Sequence, residues 1–392
     1  MTIRKLAAIL AAFALIAAAC GDDDDVAATT AATTAAPTTT AAPVTTTAAP
    51  VTTTAAPATT TTTEAPPPGI GSEENPIQVL FVPSVSAEEI IEGGELMART
   101  LNETTGLFFN VSVPTSYAST VEEMCASPDN TMGFIPAQAY VLGNELCGID
   151  VELKSLRFGY TEYWTQFIVP RDSDIQAIGD LAGKTWAYPD AGSTSGFLVP
   201  SGLLQSLGIE TGDSFEAGGH SATARAIYNG EADFGTTFFS PQIDADRGVV
   251  WDGTAAGADV ADPSSCVLDE TGNIDCGGEF PRDARRNIRS EAPDVIQKVR
   301  IVTLSDPIPN DTLSFGPEFP DDTKQAILDA LFDFAALVAD GRDDGLEASA
   351  GELFEQAFDA YSWSGIAETT DADFDFIRGL IQALGITVGD LD

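Results

Sequence analysis

Short apolar runs alternate along the chain with segments in which apolar residues recur at helical spacing. The first run, residues 77–82, is ended by Pro83, and residues 86–89, Ser-Ala-Glu-Glu, have the form of a helix capping box. The helix predicted to begin there has an apolar face at 3.6-residue spacing, made of Ile90, Gly94, Met97 and Leu101.

The same alternation continues through the chain. Further apolar runs predict strands at residues 108–113, 131–135, 167–169 and 185–188, and a helix is predicted over 195–207, ended by Gly208. This alternation of strands and helices predicts an α/β fold with mainly parallel sheets. In such sheets ligands bind at the carboxyl ends of strands, often at helix N-termini, so a site is expected in the loops that follow strands.

The first twenty residues predict export. Arg4 and Lys5 precede an apolar run, residues 6–19, which is too short for a membrane span and is followed by Cys20. The sequence Ala-Ala-Ala-Cys at 17–20 resembles a bacterial lipobox, which implies cleavage before Cys20 and its lipidation. We expect a signal peptide at residues 1–19 and a lipid anchor on the outer face of the bacterial cell membrane. Ordinary cleavage within the alanine run is the alternative.

Residues 20–75 predict a tether. Residues 26–68 are almost only Ala, Thr and Pro, in a seven-residue repeat that contains proline and has no apolar seam. Such a sequence buries no core and is expected to stay extended and disordered. At about 3.1 Å per residue, about 40 residues reach on the order of 100 Å when stretched, which suits a tether through a cell-wall layer.

Composition excludes several classes of function. The chain has 18 Lys+Arg against 60 Asp+Glu, a formal net charge of −42, which excludes a nucleic-acid binder and argues against docking on an anionic membrane surface. With one histidine and five cysteines, we predict no metal site, and we predict no cofactor. Without Cys20 four cysteines remain, and pairing of sequence neighbours predicts the disulfides Cys125–Cys147 and Cys266–Cys276, with free thiols as the alternative.

Residues 190–196, Asp-Ala-Gly-Ser-Thr-Ser-Gly, lie between a predicted strand and a predicted helix. Three adjacent hydroxyls, Ser193 to Ser195, stand where the first helical N–H groups have no internal partner, which favours a cradle for a tetrahedral oxyanion. Simple helix capping is the alternative. The motif is not a nucleophile elbow, because Thr194 stands in the serine position, and it lacks the Gly-Lys-Ser/Thr ending of a P-loop.

The chain resembles the phosphonate-, phosphite- and phosphate-binding proteins of ABC importers, from residue 76 to near its end. The most specific motif is Ser-Thr-Ser-Gly-Phe-Leu-Val-Pro at 193–200. The other matching motifs occur in the family's order, at 163–169 and 179–184 before it and at 219–220, 226–233 and 307–311 after it. The resemblance implies a type II periplasmic-binding-protein fold, in which two α/β lobes close on a ligand. We place the first lobe at 76–163, the second at 164–304, and the return to the first lobe with the C-terminal helices at 305–392.

The resemblance also implies a function and a site. It implies a monomeric solute-binding protein, not an enzyme, that delivers a phosphorus oxyanion to an ABC permease. The family's oxyanion-binding positions carry over onto Ser193, Thr194, Ser195 and His220. His220 is expected to bind as an imidazolium. Tyr163 is implied to pack beside the ligand and Asp311 to accept from a protonated ligand oxygen, the alternatives being a core aromatic and a turn residue.

Two departures from the aminophosphonate-binding members favour a smaller ligand, such as phosphate, phosphite or methylphosphonate. No acid occurs in residues 235–240, and Ile135 stands where some members have tyrosine. Further cleft residues are predicted, namely Ser84, Ser86, Gln138, Tyr140, Thr236, Thr237 and Ser240. Other classes stay open: a sensing subunit of a signalling system, a hydrolase that uses a serine with His220, and a structural surface protein. The cluster Arg282, Arg285 and Arg286 predicts local salt bridges, with anion steering as the alternative.

Overall fold

The computed structural model describes residues 69–246, 248–339 and 363–391. The predicted signal peptide, Cys20 and the repeats of the tether lie outside them. Residues 70–75, which the sequence analysis assigned to the tether, form a turn in which the Gly71 N–H donates to the Asn75 carbonyl at 2.9 Å. In the described part of the chain, no helix has the length and apolar character that a membrane crossing needs.

Strands are numbered in chain order, and six of them form the first sheet: β1 (Ile77–Phe81), β2 (Phe109–Ser112), β3 (Thr131–Ile135), β4 (Asp150–Leu156), β13 (Thr312–Phe315) and β14 (Gly365–Glu368). Their spatial order is β14-β4-β13-β3-β1-β2. β1 is parallel to β2 and β3, whereas β13 is antiparallel to β3 and β4, and β14 to β4.

The second sheet contains six strands that lie between β4 and β13 in the chain: β5 (Glu162–Pro170), β6 (Trp186–Tyr188), β7 (Ser214–Glu216), β8 (Phe234–Phe239), β11 (Val299–Leu304) and β12 (Ile308–Pro309). Their order is β11-β5-β8-β6-β7, and β12 also pairs with β5. β6 is parallel to β7 and β8, and β5 is antiparallel to β8, β11 and β12. A separate antiparallel ribbon is formed by β9 (Cys266–Leu268) and β10 (Ile274–Cys276).

The prediction of mainly parallel sheets is wrong, because each sheet has two parallel and three antiparallel pairings. Parallel neighbours need a long crossover, usually a helix, between them. Here the chain passes from β4 to β5 through residues 157–161 alone, and from β12 to β13 through residues 310–311. These two short crossings join the sheets, and each of β5 and β13 pairs only with antiparallel neighbours. The predicted lobe boundaries stay predictions.

The helices are α1 (Ala87–Thr105), α2 (Tyr117–Ala126), α3 (Ala137–Cys147), α4 (Val199–Ser206), α5 (His220–Asn229), α6 (Val295–Lys298), α7 (Asp321–Ala339) and α8 (Asp375–Leu384). α1 begins after Ser86 as predicted, but the Ser86 side chain makes no capping hydrogen bond. A capping box does form at Ser116 and Ser119, at the start of α2. The Cys125–Cys147 disulfide joins α2 to α3, and Cys266–Cys276 joins the two strands of the ribbon, the same pairs that the sequence predicts.

Both faces of the central part of β1 are buried. Val79 of β1 packs in one cluster with Leu101 of α1, whereas its neighbour Leu80 lies in another cluster with Val121 of α2. Successive strand residues point to opposite faces, so a strand covered by helices on both sides needs a continuous apolar run. This is why residues 77–82 lack the alternation of a half-exposed strand, and why loops at the strand ends, rather than the sheet faces, are left to form a site.

Candidate functional site

A cavity of about 30 Å³ lies between the two lobes, about two to three times the smallest space that holds one water molecule. Its polar and charged lining comes from β5, from loops and helix starts that follow strands of both sheets, and from the two crossings: Ser84, Tyr117, Arg157, Tyr163, Ser193, Ser195, His220 and Asp311. The size suits a small ligand with a few heavy atoms. The main ligand-binding set predicted from the sequence is Ser193, Thr194, Ser195, His220, Tyr163 and Asp311. All of these residues except Thr194 line the cavity.

The loop after β6 contains a helical turn that is wider than a turn of α-helix. Residues Thr194–Leu198 form one π-helical turn before α4, where the sequence predicted α-helix, and the Val199 N–H donates to the Thr194 carbonyl five residues back. Pro200 has no N–H to give to the Gly196 carbonyl, and the Thr236 hydroxyl donates to that carbonyl instead. The turn is therefore held in place by side chains of the sheet beneath it.

Ser193 caps this turn, because its Oγ accepts from the Gly196 N–H at 3.1 Å. The first N–H groups of the turn have no carbonyl within it to bond. The Thr165 hydroxyl donates to the Ser195 carbonyl at 2.8 Å, and the Ser195 side chain lies at the cavity wall, where it hydrogen-bonds Tyr163. The arrangement offers hydroxyl and amide donors at the cavity, as an oxyanion site requires.

Thr194 and Gln138 join the lobes instead of lining the cavity. The backbone N–H of Gln138 donates to Thr194 Oγ1 at 2.8 Å, and its Nε2 donates to the Ala191 carbonyl at 3.1 Å. The His220 N–H donates to the Ser84 carbonyl at 3.1 Å, a third contact between lobes. Thr194 and Gln138 were both predicted to face the ligand. In the structure their side chains belong to the contact that holds the lobes closed.

The surroundings of His220 favour the neutral imidazole, whereas the sequence analysis expects an imidazolium on the bound anion. Burial and, next, the positive charge of Arg157 lower the pKa of His220 to about 3. Its Nε2 lies 3.3 Å from Ser193 Oγ, and its Nδ1 is buried with no partner among the described residues. Gly219, before it, has φ +131, a conformation that other residues rarely adopt. A neutral imidazole still offers one donor and one acceptor.

The two crossings bring an ion pair to the cavity. Arg157 follows β4 and Asp311 precedes β13, and the Arg157 Nη2 donates to Asp311 Oδ2. The guanidinium carbon lies 5.0 Å from the centroid of the Tyr163 ring, within cation–π range. Burial, and next the Asp311 charge, raise the pKa of Tyr163, so its phenol is protonated. The sequence analysis missed Arg157; its only signal is a basic residue at the end of a strand in an acidic chain.

A family model described as the periplasmic substrate-binding protein of ABC phosphonate transporters matches residues 79–374. The chain belongs to this family. Its members are substrate-binding proteins of transport systems and not enzymes.

Relatives of this family agree with that result. The phosphate-import protein PhnD of Mycolicibacterium smegmatis is 28% identical over 177 residues, which cover 41% of this chain and 54% of that one. The match thus spans about half of that relative's length.

Two solved structures share the fold. A binding-protein component of an ABC phosphonate transporter from Pseudomonas aeruginosa has a TM-score of 0.56 and 17% identity, over 78% of this chain and 85% of its own. PhnD1 from Prochlorococcus marinus, in complex with methylphosphonate, has a TM-score of 0.57 and 12% identity, over 79% and 98%. The predicted type II periplasmic-binding-protein fold is confirmed.

Five other residues that the sequence analysis predicted to face the cleft lie away from the cavity. Ser86 is exposed. Thr236 bonds Gly196 and Trp186, and Thr237 accepts from Gln166 Nε2 at 2.8 Å. The Tyr140 hydroxyl donates to Asp371 at 2.7 Å, and Ser240 is buried but does not line the cavity. The hydroxyls of Thr236, Thr237 and Tyr140 are thus bonded within the lobes. Ser84 alone of the additional residues lines the cavity, and its Oγ has no hydrogen-bond partner among the described residues.

Arg285, at the centre of the basic cluster of Arg282, Arg285 and Arg286, forms the local salt bridges that the sequence analysis predicted. The fully buried Arg285 bonds Asp283 at 2.9 Å and Asp259 at 2.7 Å. The Gln166 Nε2 that binds Thr237 also donates to Asp283, at 3.2 Å. A buried cation with two carboxylates is compensated locally, so Arg285 has a structural role and does not steer anions.

Proposed function

We propose that this protein binds a small phosphorus oxyanion, namely phosphate, phosphite or a small phosphonate, between its lobes and delivers it to the permease of an ABC importer. The observation that carries the proposal is the capped π turn, which sets the Ser193 and Ser195 hydroxyls at a cavity of about 30 Å³. Family membership and the ligands in the names of the relatives support the same conclusion.

The binding mode follows from the donors at the cavity. The Ser193 and Ser195 hydroxyls and the first N–H groups of the turn bind ionised ligand oxygens, because hydrogen bonds to a charged acceptor are stronger than neutral ones. His220 takes part as a neutral imidazole, and Tyr163 packs beside the ligand through its ring. Asp311 accepts a hydrogen bond from a protonated ligand oxygen. Sulfate, which has no proton at neutral pH to offer that carboxylate, is disfavoured.

Closure of the lobes is the signal that the permease reads. The three hydrogen bonds between Gln138, His220 and the opposite lobe exist only when the lobes meet, so they favour the closed, loaded form. In this proposal the protein is a monomer that opens and closes around its ligand. It is exported and held on the outer face of the cell membrane by lipid on Cys20, with residues 20–68 as the tether.

A hydrolase is disfavoured by the surroundings of its candidate pair. Ser193 Oγ and His220 Nε2 are 3.3 Å apart, but Ser193 is engaged as a cap, and His220 Nδ1 bonds no carboxylate in the described chain. A serine–histidine nucleophile needs that third group to orient the imidazole. A sensing subunit with the same ligand site is the second candidate, and transport experiments separate it from an importer.

Uptake by cells tests the proposal. Cells that lack the protein are expected to lose uptake of labelled phosphate, phosphite or methylphosphonate, and the wild-type gene is expected to restore it. A Ser193→Ala/Ser195→Ala variant, present at the same level, should not restore it. Unchanged uptake in the deletion strain would contradict the importer role, and altered gene expression under those conditions would favour sensing. The anchor is tested separately: Cys20→Ser should release the protein from the membrane fraction.

A further inference from the structure

Arg157 is a buried cation at the wall of the ligand cavity. It is 5% exposed, and of the described lining residues it is the only arginine or lysine. Its three nitrogens present two edges, and a guanidinium binds acceptors in the plane of both. The Nη2 atom is bound to Asp311, whereas the Nε atom is buried and has no hydrogen-bond partner among the described residues.

A buried N–H of a charged group without an acceptor is unfavourable, so it calls for an explanation. Two other arginines bond acceptors within the protein: Arg285 bonds two carboxylates, and Arg171 donates from Nε and Nη2 to the Ile296 carbonyl. Arg157 differs from them in lining the cavity that Ser193, Ser195 and His220 also line. The acceptor that its Nε lacks is therefore expected to come from the ligand.

We propose that Arg157 binds the phosphorus oxyanion directly through its Nε edge while its Nη2 stays on Asp311. The inference rests on the proposed function and names the charged residue of that site. Asp311 holds the guanidinium in place from one side, and the face of Tyr163, 5.0 Å away, packs on the other. Because Arg157 is the one arginine or lysine among the described lining residues, it supplies the positive charge that the bound anion needs.

The ion pair also explains how a carboxylate is tolerated beside an anionic ligand. An unpaired Asp311 would repel an ionised oxygen, whereas the paired carboxylate contributes little net charge and keeps lone pairs for a ligand proton. Arg157 and Asp311 lie 154 residues apart, on the two crossings between the lobes. Ligand binding at this pair therefore acts at the point where the lobes move relative to each other.

Calorimetric titration of the full chain with phosphate, phosphite and methylphosphonate tests the inference. Arg157→Gln alone leaves Asp311 buried and unpaired, so the decisive variant is Arg157→Gln/Asp311→Asn, which removes both charges and keeps the shapes. Because Asp311 itself accepts from the ligand, the reference is Asp311→Asn alone, and the double variant is expected to bind the tightest of the three anions about tenfold to about hundredfold more weakly than that single variant. Equal affinity in the two variants would overturn the inference, because Arg157 would then act only as the counter-ion of Asp311.

A measurement on the wild-type protein covers the case in which the double variant does not fold. With arginine labelled at nitrogen-15, the Nε–H resonance of Arg157, assigned by its loss in Arg157→Lys, should shift as the anion saturates the site. The Nε–H resonance of Arg285 is the matched control and should stay in place. No shift at Arg157 on saturation contradicts direct contact. If wild type binds none of the three anions, the proposed function itself fails, an outcome distinct from binding that ignores Arg157.

Discussion

Ser193 and Ser195 both line the cavity, but they differ in what else they do, and this difference gives a sharp prediction. The Ser193 Oγ accepts from the Gly196 N–H at 3.1 Å and lies 3.3 Å from His220 Nε2. The Ser195 side chain caps no backbone N–H; it hydrogen-bonds Tyr163 at the cavity wall, and its carbonyl accepts from Thr165. Ser193→Ala should therefore impair stability and binding, whereas Ser195→Ala, which removes no cap, should impair binding and cost less stability.

The magnitudes follow from the bonds that each variant removes. Loss of a serine cap costs about 1 kcal/mol of unfolding free energy, within a range of about 0.5–2 kcal/mol, and applies to Ser193→Ala. Loss of a hydrogen bond to a charged ligand costs about 1.5–3 kcal/mol, and applies to both variants. In dissociation constants that is about tenfold to about 150-fold.

Two assays separate the two effects. Denaturant unfolding of the ligand-free protein gives the stability of each variant, and titration with the preferred phosphorus anion gives its affinity. Ser240→Ala is the matched control, because Ser240 is a buried serine outside the cavity, and it should leave affinity unchanged. Wild-type affinity in both Ser193→Ala and Ser195→Ala, or equal destabilisation by the two, would refute the assignment of the turn as the ligand's cradle.

Three further predictions address closure, protonation and the disulfides. A Cβ at Gly192 would lie 2.4 Å from Tyr117 Cβ of the opposite lobe, so Gly192→Ala should weaken ligand binding and leave an open form in small-angle scattering. The folded-state pKa of His220, about 3, lies below its unfolded value of about 6.5. The unfolded chain therefore binds the extra proton, and wild-type stability should fall by about 1.4 kcal/mol per pH unit as pH drops below about 6.5, relative to His220→Asn at each pH; parallel profiles would contradict a neutral His220. The Cys125–Cys147 bond closes a 22-residue separation, so replacing both residues by serine should lower the unfolding free energy by about 3 kcal/mol in denaturant titrations.

Features encoded by neighbouring residues could be predicted from the sequence. The strand at residues 131–135 has the predicted bounds, Ser193 caps the turn that follows β6, and the nearest-neighbour cysteine pairs are the ones joined. Each depends on an apolar run, a single side chain or a short spacing. The π turn depends on Pro200 together with Thr236, 36 positions further on, and was predicted as ordinary helix.

What could not be predicted depends on residues far apart in the chain. Arg157 meets Asp311 across 154 positions, and no local pattern marks that pairing. Arg157 also bears on the charge of His220, because burial and this nearby cation both disfavour the imidazolium that the sequence analysis expects. Thr194 looked equivalent to its two neighbours, yet only the contact with Gln138 of the other lobe shows that its side chain joins the lobes.

The central claim is that the cavity between the lobes binds a tetrahedral phosphorus oxyanion. Its most direct test is calorimetric titration of the full chain, unfolded and refolded to remove carried-over ligand, against phosphate, phosphite, hypophosphite, methylphosphonate, 2-aminoethylphosphonate and sulfate. The account predicts tight one-to-one binding of phosphate, phosphite or methylphosphonate, with sulfate silent. Silence across the phosphorus compounds, or sulfate binding as tight as the best of them, would contradict it.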